Sequence, residues 1–180
     1  MWIIVAVASY FLLAIVALLD KYLLSGPLPS PKIYAFYVGV LGGGAAFLLF
    51  VFGFVEIPET PILLLGLLAG AMRTLFLFAL FRALRLFEAS RIIPALGGIL
   101  PIFLLLFVFL FAGDKAIFLP RNFLAFLLLV AGAVGVSLVK DRRITLQSIT
   151  AAALAACFGA ASFFLSKFAY DAQPFLSGLA

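Results

Sequence analysis

The feature that most restricts this chain is a succession of apolar runs, each about as long as a lipid hydrocarbon layer is thick, divided by breaks rich in Pro, Gly and charge. Trp2 to Leu19 contains no charged residue, and Tyr22 to Leu24 carry the run past Asp20 and Lys21. A signal peptide begins with basic residues and has a shorter apolar stretch, so this run reads as a retained first span over 2–24. As a helix it covers roughly 34 Å, enough to cross a bilayer core.

Five further spans follow. The second, 33–55, comes after the loop Gly26-Pro27-Leu28-Pro29-Ser30-Pro31. The third, 61–86, follows Glu56-Ile57-Pro58-Glu59-Thr60-Pro61, where Thr60 is the expected N-cap and Pro61 the first helical residue. The fourth covers 90–112, the fifth 121–139 and the sixth 146–170, with Gly113-Asp114-Lys115 and Lys140-Asp141-Arg142-Arg143 between them. Composition settles how these runs are used. Of 180 residues, 67% are apolar and 11% charged, where a soluble domain is about half apolar and a quarter charged. A globule of this size has too little interior to hide that much hydrocarbon, and a disordered chain would be far more polar. Lipid also forbids open strand edges, and the alternating segments of an outer-membrane barrel are absent. The expected fold is all-α: a six-helix polytopic transmembrane bundle, multi-pass in the cell membrane.

Several kinds of chemistry drop out. There is no His, which removes His triads, His-ligated zinc and His proton relays. The single Cys, Cys157, forms neither an intrachain disulfide nor a cysteine metal site. An intramembrane enzyme acting on a lipid phosphate would need clustered acids or a nucleophile constellation. The seven acids, Asp20, Glu56, Glu59, Glu88, Asp114, Asp141 and Asp171, are scattered and none is at mid-membrane. No enzyme, metal or cofactor is expected. The net charge of +5 sits mostly at the ends of apolar runs, which speaks for membrane orientation rather than nucleic-acid binding.

The sixth span can be laid on the first with an offset of 146 residues, matching Ala6 to Ala152, Ala14 to Ala160, Leu19 to Leu165 and Lys21 to Lys167. At helical periodicity Ala6, Tyr10, Ala14, Ala17 and Lys21 share one arc, as do Ala152, Ala156, Ala160, Phe163 and Lys167. Such stripes are either packing seams ending in a snorkelling lysine or two lysines facing a shared cavity. The offset encloses five spans. The chain then divides into one five-helix unit, 1–143, and the first helix of an inverted second unit, 144–180, which is how secondary transporters are commonly built. On this reading the frame is truncated, and roughly 100–120 further residues would complete the second unit.

Three stretches carry a family likeness: Leu18-Leu19-Asp20-Lys21-Tyr22-Leu23-Leu24-Ser25; Phe81 through Pro94 with Gly97-Gly98-Ile99-Leu100-Pro101-Ile102-Phe103; and Phe163-Phe164-Leu165-Ser166-Lys167-Phe168-Ala169-Tyr170-Asp171. Together they resemble the EamA-like branch of the drug/metabolite transporter superfamily. The resemblance implies ten helices in two inverted repeats, with import or export of small metabolites by alternating access. The turn after the fourth helix departs from the family's Gly-Glu-Arg-like pattern, reading Gly113-Asp114-Lys115 here.

The most informative single residue is Arg73, twelve residues in from Pro61 and so near mid-membrane. A central arginine costs about 2.5–3.5 kcal/mol on insertion scales and should not face lipid. Gly66, Gly70 and Arg73 share a face, which directs the guanidinium toward a packed, small-residue side. It either holds an anionic substrate group in a cavity or bonds backbone carbonyls at a helix break. Arg85, Glu88 and Arg91 are spaced by three around the turn between the third and fourth spans, as a closing ion-pair set or a solvated turn. Pro94 and Pro101, with Gly97 and Gly98 between them, mark the fourth span as kinked, either as a hinge or as a fixed bend. Gly39-x-x-x-Gly43 is a close-packing motif in the second span.

The candidate pathway residues are therefore Arg73, Lys21, Lys167, Tyr10, Asp20, Glu88 and Arg91, with Pro94, Gly97, Gly98 and Pro101 as the hinge set. The expected function is an alternating-access transporter of small metabolites or drugs; the alternative is a non-transporting scaffold or helper subunit. The expected partners are the lipid bilayer and a small-molecule substrate, with a homodimer as an option. The two orientation signals oppose each other. Basic residues concentrate in the first, third and fifth connections, which puts the N-terminus outside, whereas the family resemblance implies the reverse.

Overall fold

A computed structural model describes residues 2–26, 30–53, 59–112 and 146–172, together with 124, 126–128 and 130–132. Among these residues there are no strands. The elements are α1 (Trp2–Ser25), α2 (Pro31–Val51), α3 (Thr60–Leu86), α4 (Ala89–Phe107), a π-helical turn (Val108–Ala112) that prolongs α4, and α5 (Leu146–Ala172). The α5 helix is the sixth span expected from sequence. The described residues of the fifth expected span, from Leu124 to Gly132, are also helical. Among the described residues, five helices are long and apolar enough to cross a membrane, at 21 to 27 residues each.

Local chemistry sets the helix boundaries. Pro31 is the first residue of α2, where its missing N–H costs nothing, with Ser30 as the N-cap residue. The same helix stops at Val51, four residues short of the sequence expectation. Gly53 takes φ +73°, and its N–H donates to the Phe50 carbonyl while that of Phe52 donates to Leu48. This left-handed position is one that only glycine occupies cheaply. The N-cap of α3 is Glu59 rather than Thr60, which is already helical, with Pro61 just behind it. Only Phe87 and Glu88 join α3 to α4. The fourth span is helical through Pro94, Gly97, Gly98 and Pro101. The departure from α geometry comes later, at Val108–Ala112.

The core lies where α5 packs against both α3 and α4. Ala69, Phe76, Leu80 and Ala83 line the buried face of α3, and Ala152, Ala155, Ala156 and Ala160 that of α5. Contacts at Ala69–Ser162 and Phe76–Gly159 set α3 and α5 antiparallel, while Leu100–Gly159 and Phe107–Phe164 set α4 and α5 parallel. Small residues on α5 let the backbones approach, which is how helices associate where lipid supplies no hydrophobic drive. Outside this core the surface is hydrocarbon. Along α1, Ile4 is 75% and Phe11 67% exposed, and on α2 Leu41 is 74% exposed. In water such a surface would aggregate, whereas a bilayer solvates it. Isolated hydroxyls bond their own helix, as Ser9 to the Val5 carbonyl, Ser25 to Lys21 and Thr74 to Gly70.

Candidate functional site

Two groups of sequence-selected residues have distinct surroundings. The first lies at the end of the bundle where α1 and α3 finish and α2 and α4 begin. Lys21 Nζ donates to the Leu84 carbonyl at 2.5 Å and to the Phe87 carbonyl at 2.9 Å. The Leu84 carbonyl is among the last of α3, which have no partner inside the helix, while that of Phe87 lies in the link to α4, and the ammonium also meets the negative end of the helix dipole. Beside it, the Tyr34 hydroxyl on α2 donates to Asp20 Oδ1 at 2.5 Å. The Tyr34 ring packs on Phe81 with centroids 4.5 Å apart. Leu24, Leu84 and Ile92 are fully buried around them. One tyrosine thus ties a charged helix end to the apolar core. Asp20 and Lys21, selected as pathway residues, tie the end of α1 to the start of α2, the end of α3 and the link to α4.

The second group lies at mid-span. Arg73 is the central residue of α3, thirteen residues from Thr60 and thirteen from Leu86. Its guanidinium carbon lies 5.0 Å from the centroid of the Phe76 ring and 5.6 Å from that of Phe163 on α5, both within cation–π reach. Among the described residues, no oxygen accepts a hydrogen bond from it. Phe76 is firmly held: a Cβ added at Gly159 would stand 2.9 Å from its Cδ2 and 3.2 Å from Leu100 Cδ1. One turn away, Ser162 Oγ donates to the Ala69 carbonyl at 3.1 Å, pinning α5 to α3. Among the described residues, the side of α3 carrying Gly66 and Gly70 is open rather than packed, with nothing within 4 Å of an added Cβ at either glycine. The buried arc is centred instead on Ala69, Phe76 and Leu80, and Arg73 sits at its edge, exposed.

The remaining candidates separate. Glu88 Oε2 lies 3.9 Å from Arg91 Nε and accepts from Ser90 Oγ at 3.3 Å, a local arrangement at the start of α4. Tyr10 is 75% exposed on α1. Lys167 is exposed on α5, one turn beyond Phe163. The shared register of Lys21 and Lys167 therefore does not give them shared surroundings: one caps α3, the other is open. Their stripes diverge as well. Ala152, Ala156 and Ala160 are wholly buried, while Ala14 is exposed. Gly39 and Gly43 pack against nothing within 4 Å, so the close-packing motif of α2 is unused among the described residues. Gly113, Asp114, Lys115 and the 140–143 charge cluster lie outside the described residues.

Sequence reasoning passed over Tyr34, Phe76, Gly159 and Ser162. A usable signal existed for Gly159 and Ser162, since they continue the small-residue stripe of Ala152 and Ala155 at helical spacing. None existed for Tyr34 or Phe76, two aromatics in a chain with 22 Phe and 5 Tyr. No family model, curated protein or solved structure matches this chain.

Proposed function

We propose that the protein is an integral membrane transporter of small metabolites or drugs, EamA-like in kind, working by alternating access between two inverted units. The observation that carries the reading is Arg73. At 1.5 Å per residue it is about 20 Å from either end of α3, beyond the reach of a snorkelling side chain. A cation at that depth is expensive unless it serves a pathway or a partner. Aromatic rings at 5.0 and 5.6 Å cover part of its charge and leave its N–H groups without an acceptor among the described residues. The packed α3–α5 pair supplies a rigid wall behind it, as a binding residue requires.

The test is Arg73→Met in the full chain, reconstituted in liposomes and screened against a panel of toxic metabolites. Transport is expected to be lost with membrane insertion normal. Unchanged transport would reduce Arg73 to a structural residue and remove the main support for the reading. A helper subunit is the second reading, favoured by the open glycine face of α2 at Gly39, Gly42 and Gly43. Stable insertion with no flux of any solute would select it.

A further inference from the structure

We infer that the ligand of the Arg73 site is an organic monocarboxylate with a planar apolar body, approaching from the membrane side on which Lys167 lies; this rests on the transport reading above. The charge of the ligand follows from the guanidinium. Phe76 and Phe163 engage it through cation–π contact, which uses none of its five N–H donors. Those donors match a carboxylate fork. The depth of Arg73, about 20 Å from either helix end, separates it from lipid headgroups, so the anion is a solute rather than a headgroup phosphate. The shape follows from the walls. Phe163 is 48% exposed beside the guanidinium, so part of its apolar surface is open next to whatever the guanidinium binds. Gly66 and Gly70 contribute no side chain on the neighbouring side of α3, and among the described residues nothing lies within 4 Å of an added Cβ there, which leaves room for a flat body.

The direction follows from topology. Because α3 and α5 are antiparallel, moving from Arg73 toward Gly70 and Gly66 on α3 runs alongside moving from Phe163 toward Lys167 on α5. Lys167 is exposed and five residues from Ala172, the end of α5. That is about 7.5 Å, within snorkelling distance of the boundary. A cation near the boundary followed by a deeper one is an arrangement that steers anions inward.

The experiment is equilibrium and stopped-flow binding of benzoate to the full chain in nanodiscs, with benzamide and inorganic phosphate as competitors. Benzoate is expected to bind saturably, and both competitors to bind about tenfold more weakly or less. Arg73→Lys should weaken benzoate about tenfold by losing the fork, and Phe163→Ala about threefold. Lys167→Gln should slow association about threefold and flatten its salt dependence, leaving dissociation unchanged. Equal binding of benzamide, displacement by phosphate at matched concentration, or full benzoate affinity in a folded Arg73→Lys protein would each overturn the proposal. Liposome flux separates it from the reading beneath it. Benzoate binding without flux of any solute keeps the ligand class and refutes transport. Flux of other solutes without benzoate binding keeps transport and refutes the ligand class.

Discussion

Phe76 of α3 lies directly over Gly159 of α5, so close that an added Cβ would stand 2.9 Å from its ring. The residue that lets these two helices meet also fixes the ring beneath Arg73. Gly159→Ala must push Phe76 or Leu100 aside, and overpacking of this kind costs about 1–3 kcal/mol. The expected result is a lower unfolding midpoint in detergent, with a larger loss for Gly159→Val. Gly43→Ala, made where nothing lies within 4 Å, should leave the midpoint unchanged or slightly raised.

Ser162 to the Ala69 carbonyl, at 3.1 Å, is a polar contact of the same seam. Interhelical hydrogen bonds in membranes average about 0.6 kcal/mol. Ser162→Ala should therefore cost less than Gly159→Ala in the same unfolding assay. A larger cost for the serine would mean that the polar contact, and not close approach, holds α3 to α5.

Removing the ammonium of Lys21 strips the carbonyls of Leu84 and Phe87 of their donor. Lys21→Met is expected to lower stability by about 1–2 kcal/mol. Hydrogen exchange should rise in the last turn of α3 and not in its middle. Transport by a protein that still inserts should survive, because Lys21 acts here at a helix end. Loss of transport without loss of stability would return Lys21 to the pathway.

Tyr34 and Asp20 form one bond between α1 and α2. Tyr34→Phe keeps the ring on Phe81 and deletes only the hydroxyl, for an expected cost of about 1–2 kcal/mol. In a double-mutant cycle with Asp20→Ala, the second change should cost markedly less once the first is made. Additive losses would show that the two side chains act independently.

How far the sequence could be read is clearest at particular positions. The central depth of Arg73 was legible, because distance along a helix is counted residue by residue. The face on which it lies was misjudged, since Gly66 and Gly70 suggested packing and the structure leaves both open. The same happened at Gly39 and Gly43. Glycine permits close approach without specifying it, and the partner is chosen by what lies opposite, as Phe76 does for Gly159. Tyr34 was invisible for another reason: its role depends on Asp20 and Phe81, which only folding brings to it.

The sequence by itself determined that the chain forms long apolar helices and where each charge lies along them. Backbone polar groups in lipid must be satisfied within the segment, so a long apolar run has one answer. Only the tertiary structure decided which face of each helix is covered. A helix apolar all round has no preferred side toward lipid or protein, so shape complementarity, which pairs residues far apart in the chain, makes that choice.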